Sequence, residues 1–237
     1  MKRRKCFFTI VFVLAICSEV RTQSKEYSFY QLYQLDSIGR TPSFTRHFGE
    51  LYFQFLQLVE SRLNEADTTT QRLLRHFETV FADFYIDACR SYGDQKPISL
   101  PAWRAYFADS TLQPVQYKLL GANAHLNGGL AQAIFNSYTP GEWNQLKGKY
   151  TLFNKCLNIT FRNVYTETIN KNKQAGLLHT LSFGLSKTAG KIYLYKWRRR
   201  QMRLTKYSFE QSPKYKKLSD RVNRKKDKID RMVLTQF

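Results

Sequence analysis

The sequence has few of the residues that interrupt helices or link a chain covalently. Its 237 residues include six Pro, eleven Gly and four Cys. Because Pro and Gly are the strongest breakers of regular structure, these low numbers leave long stretches in which a helix can continue. The sequence has no pair of CxxC motifs, which disfavours a zinc site held by four thiolates. It also lacks the HExxH, GxSxG, Walker and Rossmann glycine patterns, which excludes the commonest hydrolase and nucleotide-binding signatures.

Acidic residues are also scarce, and their shortage is greatest near the C-terminal end. The whole chain has 38 Lys and Arg against 18 Asp and Glu, a formal charge of +20. Between Lys187 and Arg231 there are seventeen Lys and Arg against four acids. A field of this kind attracts phosphate-bearing partners, namely an anionic membrane surface or lipopolysaccharide, with nucleic acid as the weaker choice. The alternative is a basic helix that is simply solvated.

The first residues have the layout of a secretory signal. Basic residues from Lys2 to Lys5 precede an apolar run of eleven residues from Phe7 to Cys17, which is too short to span a bilayer comfortably. We therefore predict a signal peptide at residues 1–23, with cleavage between 17 and 23. The protein is then exported, and is periplasmic, secreted or associated with the outer membrane.

Lipidation is a second interpretation of the same segment. The four residues from Leu14 to Cys17 resemble the lipobox of bacterial lipoproteins, in which the cysteine becomes the acylated first residue. Ile16 departs from the small residue that this pattern requires. Plain cleavage is therefore preferred to acylation of Cys17, and an uncleaved anchor is the third alternative.

Two cysteines, Cys89 and Cys156, remain in the chain after the predicted signal peptide. A disulfide between them would close a long loop and so stabilise the folded chain by roughly 4 kcal/mol in the chain-entropy model. Two buried free thiols are the alternative.

Apolar residues at spacings of three and four predict helices over most of the mature chain. The predicted helices cover residues 44–64, 71–91, 115–137, 143–168 and 176–204, with a short helix around Trp103 and a last amphipathic helix after Pro213. Asp67 is expected to cap the second of them. The sequence thus predicts an all-α fold, with a single bundle-like helical domain at 24–205 and a basic amphipathic tail at 206–237.

The predicted central helix 115–137 carries a polar cluster among Gly and Ala. Asn123 and Asn127 stand four residues apart and share a face, whereas His125 projects to the other side. On the preceding helix, Asp83 and Asp87 also share a face. A carboxylate against His125 would orient its ring and raise its basicity, and the two carboxylates suit acid-base catalysis or a divalent metal. These five residues form a candidate catalytic site; the alternative is a satisfied hydrogen-bond network between helices.

A second set of candidate residues lies in the basic C-terminal part. Aromatic neighbours such as Tyr195 and Trp197 suit an interfacial position at a membrane. The candidate contacts to an anionic surface are Lys196, Arg198, Arg199, Arg200, Arg203, Lys216, Lys217, Arg224, Lys225 and Lys226.

The block L-L-G-A-N-A-H-L-N-G-G-L, from Leu119 to Leu130, resembles the core motif of an uncharacterised, mainly bacterial helical family. That family is a domain of unknown function with a pattern close to G-x-N-A-H-I-N-x-D-L, and the agreement covers about Phe44 to Tyr165. Gly129 stands where the family tends to have aspartate, and Lys149 stands where another acid is expected. The resemblance implies a shared helical fold with no established activity. It also implies that this chain is a degenerate member of the family that kept the fold for binding.

Two classes of function follow. The first is a non-enzymatic protein, exported or in the cell envelope, whose basic C-terminal surface binds an anionic partner. The alternative is a hydrolase, degenerate or metal-assisted, that uses His125 with Asp83 or Asp87, in which case these side chains converge in one pocket. No cofactor other than a divalent metal is expected.

Overall fold

A computed structural model describes residues 30–171 and 185–236, and every regular element in these two ranges is helical. The helices are α1 (30–40), α2 (Arg46–Leu63), α3 (Thr68–Gly93), α4 (Pro114–Asn123), α5 (Leu130–Ser137), α6 (Pro140–Leu146), α7 (Thr151–Lys171), α8 (Leu185–Phe209) and α9 (Lys214–Gln236). A 3₁₀ turn lies at Pro101–Trp103, and a π-helical segment lies at Ala124–Gly129. The predicted all-α class is therefore confirmed, while the predicted signal peptide lies outside the described residues.

Local sequence signals explain where several helices begin. Asp67 caps α3 as predicted, because its carboxylate accepts a hydrogen bond from the Thr70 backbone N–H at 2.9 Å. Thr139 and Glu142 form a capping box at the start of α6. Proline occupies the first turn of both α4 and α6, where its missing N–H has no intrahelical partner to lose.

Two clusters of buried side chains, both rich in aromatic rings, form the core. The first joins α2 and α3 to α5, α6 and α7, and includes Trp197 of α8. The second joins α1, α2 and α3 to α4 and the 3₁₀ turn, and includes Val233 of α9. Large aromatic side chains supply much of the apolar area that stabilises such a core. Both C-terminal helices therefore contribute residues to the interior.

The predicted central helix is interrupted, because α4 and α5 are separated by the π-helical segment. Its glycines lie where neighbours approach closely. A Cβ atom added at Gly128 would overlap the Cβ of Ala102 in the 3₁₀ turn, and one added at Gly121 would overlap the ring of Phe48. The small residues of this helix thus permit close packing, as their number in the sequence indicates.

Two further predicted helices differ from the structure at their ends. The helix predicted at 143–168 is divided into α6 and α7 by a turn at residues 147–150. The helix predicted at 176–204 corresponds to α8, which continues to Phe209, while residues 172–184 lie outside the described ranges. These differences move boundaries and leave the helical class unchanged.

Helices α8 and α9 pack against each other and against the centre of the domain. α8 contacts α5, and α9 contacts α4 and the π-helical segment. Val222 and Val233 of α9 are buried in these contacts. The basic segment that follows residue 205 is thus packed on the helical domain. None of the described helices combines the length and apolarity needed to cross a membrane.

Candidate functional site

His125 is enclosed by aromatic rings. Its imidazole stacks on Phe81 with 3.5 Å between ring centroids, and the edge of Tyr52 approaches it at 4.3 Å. Phe48 and Trp103 complete the surroundings at 5.7 and 6.0 Å. Burial holds the pKa of His125 well below its usual value, because the charged imidazolium would lose its hydration here. The ring is therefore neutral at neutral pH.

Several buried polar atoms around this ring have no hydrogen-bond partner within the described ranges. They include both ring nitrogens of His125, the hydroxyl of Tyr52 and the indole N–H of Trp103. Burial also raises the pKa of Tyr52, so its hydroxyl keeps its proton. Most buried side-chain polar atoms in proteins do have a partner, so a group of such atoms around one ring needs an explanation.

A small apolar cavity of about 70 Å³ lies beside His125. Residues of six helices and of the π-helical segment surround it. The lining includes Phe48, Tyr52, Phe55, Phe81, His125, Leu130, Phe153 and Trp197. None of the described residues that line the cavity is charged. This environment favours neutral, apolar occupants over ions.

The structure does not bring Asp83 or Asp87 to His125. Asp83 accepts a hydrogen bond from the Gln31 side chain at 2.9 Å, and its partial burial raises its pKa. Asp87 is exposed and ion-paired with Arg90 at 3.2 Å. Neither carboxylate lines the cavity. The catalytic arrangement considered from the sequence, with these side chains converging in one pocket, is therefore not found in the structure.

The described residues of the site do not form a donor set for a metal. Within the described parts of the chain, no group of three or more His, Cys, Asp or Glu side chains is placed to hold a metal ion. Gly129, where the resemblance led us to expect an aspartate, faces Phe81 and Phe84. Lys149 ion-pairs with Asp67 on the surface at 2.7 Å. Neither position supplies an acid near His125.

Asn123 and Asn127 attach the motif to α9. The side-chain amide of Asn123 donates to the Lys226 carbonyl at 3.0 Å and to the Asp230 carboxylate at 2.7 Å. Asn127 donates to the Asn123 side-chain oxygen at 2.6 Å, which orients that amide. A third amide, Gln116 of α4, donates to the Val233 carbonyl at 2.8 Å. The alternative foreseen for these residues, a hydrogen-bond network between helices, therefore describes what Asn123 and Asn127 do.

The π-helical segment attaches the motif to α8. The Leu126 carbonyl accepts a hydrogen bond from the indole N–H of Trp197 at 3.2 Å. The Asn127 carbonyl accepts one from the Gln201 side chain at 3.3 Å. Trp197 and Gln201 stand four residues apart and so share one face of α8. The motif thus holds both C-terminal helices. The Asn123 side chain donates hydrogen bonds to α9, and the carbonyls of Leu126 and Asn127 accept hydrogen bonds from α8.

Nine of the ten predicted contacts for an anionic surface reach solvent. Arg198 and Arg200 are half-buried, and seven others are exposed. Lys226 differs, because it is buried and ion-pairs with Asp230, next to the Asn123 amide. Its ammonium group has the carboxylate partner that a buried charge needs. Lys226 is therefore part of the interior and not of the exposed basic surface.

Four cations form a basic cluster across α8 and α9, namely Lys196, Arg200, Arg221 and Lys225. A small loss of hydration lowers the pKa of the exposed Lys225, and the charges of Arg200, Arg221 and Lys196 lower it further, in that order. On each helix the two cations stand four residues apart and share a face. No ion pair joins any of the four to an acid among the described side chains.

The interior also contains an acid that the sequence did not single out. Glu78 of α3 is buried, and its Oε1 atom has no hydrogen-bond partner in the described structure. Burial, together with the nearby charge of Glu60, raises its pKa well above the usual value, while Arg75 opposes this shift. Arg75 itself donates to Glu60 at 3.0 Å. The available signal in the sequence was an acidic residue at a position where the helical spacing of the apolar residues predicts a buried side chain.

Cys89 and Cys156 are free thiols. Burial raises the pKa of Cys89 to about 12, so this thiol remains protonated. The sequence left a disulfide and two free thiols as alternatives. The structure has the two free thiols and no disulfide between them.

Together these features define an all-α protein in which an interrupted central helix, carrying an N-A-H-x-N motif, holds two basic helices. The chain belongs to the family of unknown function DUF5995, whose model matches residues 32–236. This match confirms the resemblance seen in the sequence, and it includes α8 and α9 in the family region. No curated protein and no solved structure matches the chain.

Proposed function

We propose that this protein is a non-enzymatic binding protein that attaches to a phosphate-bearing anionic surface through its basic cluster. The observation that carries the proposal is the position of four cations on two packed helices. Lys196, Arg200 and Arg221 lie close enough to Lys225 to lower its pKa, and none of the four is ion-paired with an acid among the described side chains. Phosphate oxygens would relieve this repulsion, because they supply the missing negative charge.

The rigid attachment of the two helices supports a binding role. Trp197 and Gln201 hold α8 to the carbonyls of the π-helical segment, and Asn123 holds α9. Cations on a fixed framework lose less conformational entropy on binding than cations on a mobile tail. The N-A-H-x-N motif of this chain would then serve to present a charged surface.

Exposed apolar side chains next to the cations favour a membrane as the partner. On α8, Ile192 is 49% and Tyr195 60% exposed, and Arg199 lies over the Tyr195 ring at 5.9 Å. Aromatic and aliphatic side chains beside Lys and Arg are typical of surfaces that bind at the headgroup level. The predicted signal peptide points the same way, since an exported chain meets lipid and lipopolysaccharide rather than nucleic acid.

The hydrolase alternative is not proposed. No carboxylate of the described residues lies beside His125, and its depressed pKa leaves it a weak base. General-base catalysis works best with a pKa near the operating pH.

The test compares two variants of equal charge. In the first, Lys196, Arg200, Arg221 and Lys225 are all changed to Gln. In the control, four exposed cations elsewhere are changed to Gln, namely Arg46, Arg104, Lys147 and Lys155. Binding is measured by co-sedimentation with vesicles of neutral lipid, with or without added anionic lipid, and with lipopolysaccharide and duplex DNA as separate arms.

We expect binding to anionic vesicles that weakens as salt is added. Each cation near an anionic surface contributes about 1 kcal/mol, so loss of the cluster should weaken binding at least a hundredfold. The control should bind nearly as the native chain does. An equal loss of binding in both variants would show that binding depends only on net charge, and it would contradict the proposal. Stronger binding to DNA than to either lipid would overturn the choice of partner.

A further inference from the structure

We propose that a groove between α6 and α8 is a binding site for a medium-chain fatty acid, whose carboxylate lies at Arg198. The groove has a volume of about 650 Å³. The proposal is independent of the basic cluster, because none of the four cations of that cluster lines this groove. It rests on the size of the groove, on its apolar floor and on an excess of cations over acids around it.

Apolar side chains form the floor of the groove. Trp143 of α6 is buried, and Met202 and Phe209 of α8 are half-buried. The lining residues of α8, namely Arg198, Met202, Lys206 and Phe209, stand three or four positions apart. They therefore share one face of the helix over about three turns, or roughly 16 Å. This face offers an alkyl chain a continuous surface, and burial of the chain there is favourable.

The groove is large enough for such a chain. An engineered cavity of about 150 Å³ holds the six carbon atoms of benzene, so the groove can hold a chain of about eight to ten carbon atoms and a carboxylate. The apolar surface also continues beyond the groove. Phe209 packs on Phe135 of α5 with 5.4 Å between ring centroids, and Phe135 is 47% exposed. A longer chain would cover this ring.

Cations outnumber acids around the groove. Among the described residues, Lys147, Arg198 and Lys206 line it, and Glu210 is the acid in the lining. Lys206 ion-pairs with Glu210 at 3.6 Å. Lys147 donates a hydrogen bond to the neutral side chain of Asn144 at 3.1 Å. Two positive charges thus remain without an acid in the lining, so the charge of the groove complements that of a carboxylate.

Arg198 is the cation best placed to bind this carboxylate. Its side chain is half-buried, and the loss of hydration lowers its pKa. No ion pair joins it to an acid among the described side chains. A charge that has lost hydration is stabilised by a partner of opposite charge, and a guanidinium can donate two parallel hydrogen bonds to one carboxylate. A bound fatty acid would supply that partner.

The test uses octanoate, 1-octanol and octylammonium, which share an alkyl chain and differ in charge. Their binding to the full chain is measured by isothermal titration calorimetry at concentrations below those at which they form micelles. The competing explanation is a groove that holds only water. Water alone cannot produce saturable binding that depends on the charge of the ligand.

Two pairs of variants locate the binding site. Arg198→Gln removes a cation from the groove, and Arg199→Gln is its matched control, because Arg199 is exposed on the same helix and lies outside the lining. Met202→Trp fills the groove with a larger side chain. Met232→Trp is its control, because Met232 is 45% exposed on α9 and also lies outside the lining.

We expect saturable binding of octanoate by the native chain. A hydrogen bond to a charged group is worth about tenfold in affinity, so Arg198→Gln should bind octanoate about tenfold more weakly. The same variant should bind 1-octanol as the native chain does, which would show that its groove is intact. Met202→Trp should bind neither ligand measurably, and both control variants should bind octanoate normally.

Four results would overturn the proposal. Equal affinity for octanoate and octylammonium would show that the cations do not select the ligand. An equal loss in Arg198→Gln and Arg199→Gln would show that binding depends only on net charge. A signal that never saturates would mean that the groove holds only water. Loss of octanoate binding in the variant that lacks the basic cluster would place the carboxylate there; if binding is retained, the two proposals are tested separately.

Discussion

The side-chain amide of Asn123 lies 2.7 Å from the carboxylate of Asp230, although 107 positions separate them in the chain. The same amide also donates to the Lys226 carbonyl, and Asp230 also ion-pairs with the Lys226 ammonium group. All three residues are buried. This contact therefore joins the N-A-H-x-N motif to the basic helix α9 through groups that are costly to leave unpaired.

We predict that Asn123→Ala destabilises the protein by about 2–3 kcal/mol, since it removes a hydrogen bond to a buried charge and leaves Asp230 short of a donor. Urea unfolding measures the loss. Asn144→Ala is the control, because Asn144 is exposed and only accepts from Lys147. Hydrogen exchange in α9 should also become faster in Asn123→Ala. The same stability in both variants would show that Asn123 does not hold α9.

We predict that Gly128→Ala destabilises the protein by about 1–3 kcal/mol, which is the usual cost of overpacking. The added methyl group would overlap the Cβ of Ala102. Gly148→Ala is a matched control, because nothing lies within 4 Å of a Cβ atom at that position. Thermal or urea unfolding measures both. Combining Gly128→Ala with Ala102→Gly should restore part of the loss, and no restoration would argue against this contact.

We predict that part of the stability depends on His125 remaining neutral. Its pKa is lowered in the folded state, so the unfolded chain binds more protons below about pH 6.5. The free energy of unfolding should therefore decrease as the pH falls through this region. His125→Phe should have a shallower decrease than the native chain between pH 7 and pH 5. His47, whose pKa is also lowered by burial, provides a comparison through His47→Gln, which should change the slope less.

We predict the opposite pH dependence for Glu78. Its pKa is raised in the folded state, so the folded chain holds this proton to a higher pH than the unfolded chain does. The free energy of unfolding should then decrease as the pH rises above the usual value of 4.5. Glu78→Gln does not titrate, so its stability relative to the native chain should increase from pH 5 to pH 8. A constant difference across this range would contradict the predicted protonation of Glu78.

Much of the helical class could be predicted from the sequence, because apolar periodicity and local caps act within a few residues. Helix α2 and the Asp67 cap of α3 are examples. The π-helical segment could not be predicted, since its conformation depends on neighbours such as the 3₁₀ turn that packs on Gly128. A sequence pattern with a period near 3.6 does not distinguish a helix from one with a local π turn.

The candidate site was predicted less well, for a related reason. The sequence identified Asn123, His125 and Asn127 as unusual polar residues in an apolar helix. It could not supply their partners, because those partners come from α8 and α9, more than 70 positions away. Lys226 lies among other lysines and arginines and so resembles a solvated residue, yet its position on α9 buries it. Pairing over such distances is fixed by tertiary packing rather than by local pattern.

The attachment of α9 to the motif also has a consequence for protein synthesis. The amide groups of Gln116 and Asn123 meet their partners only after residues up to Val233 have left the ribosome. Until then the nascent chain carries these amides in a region that should become its interior. Native contacts between distant residues close late and slow the last step of folding. A chaperone that shields the segment around residues 114–130 during translation would therefore raise the yield of folded protein more than one that acts on the earlier helices.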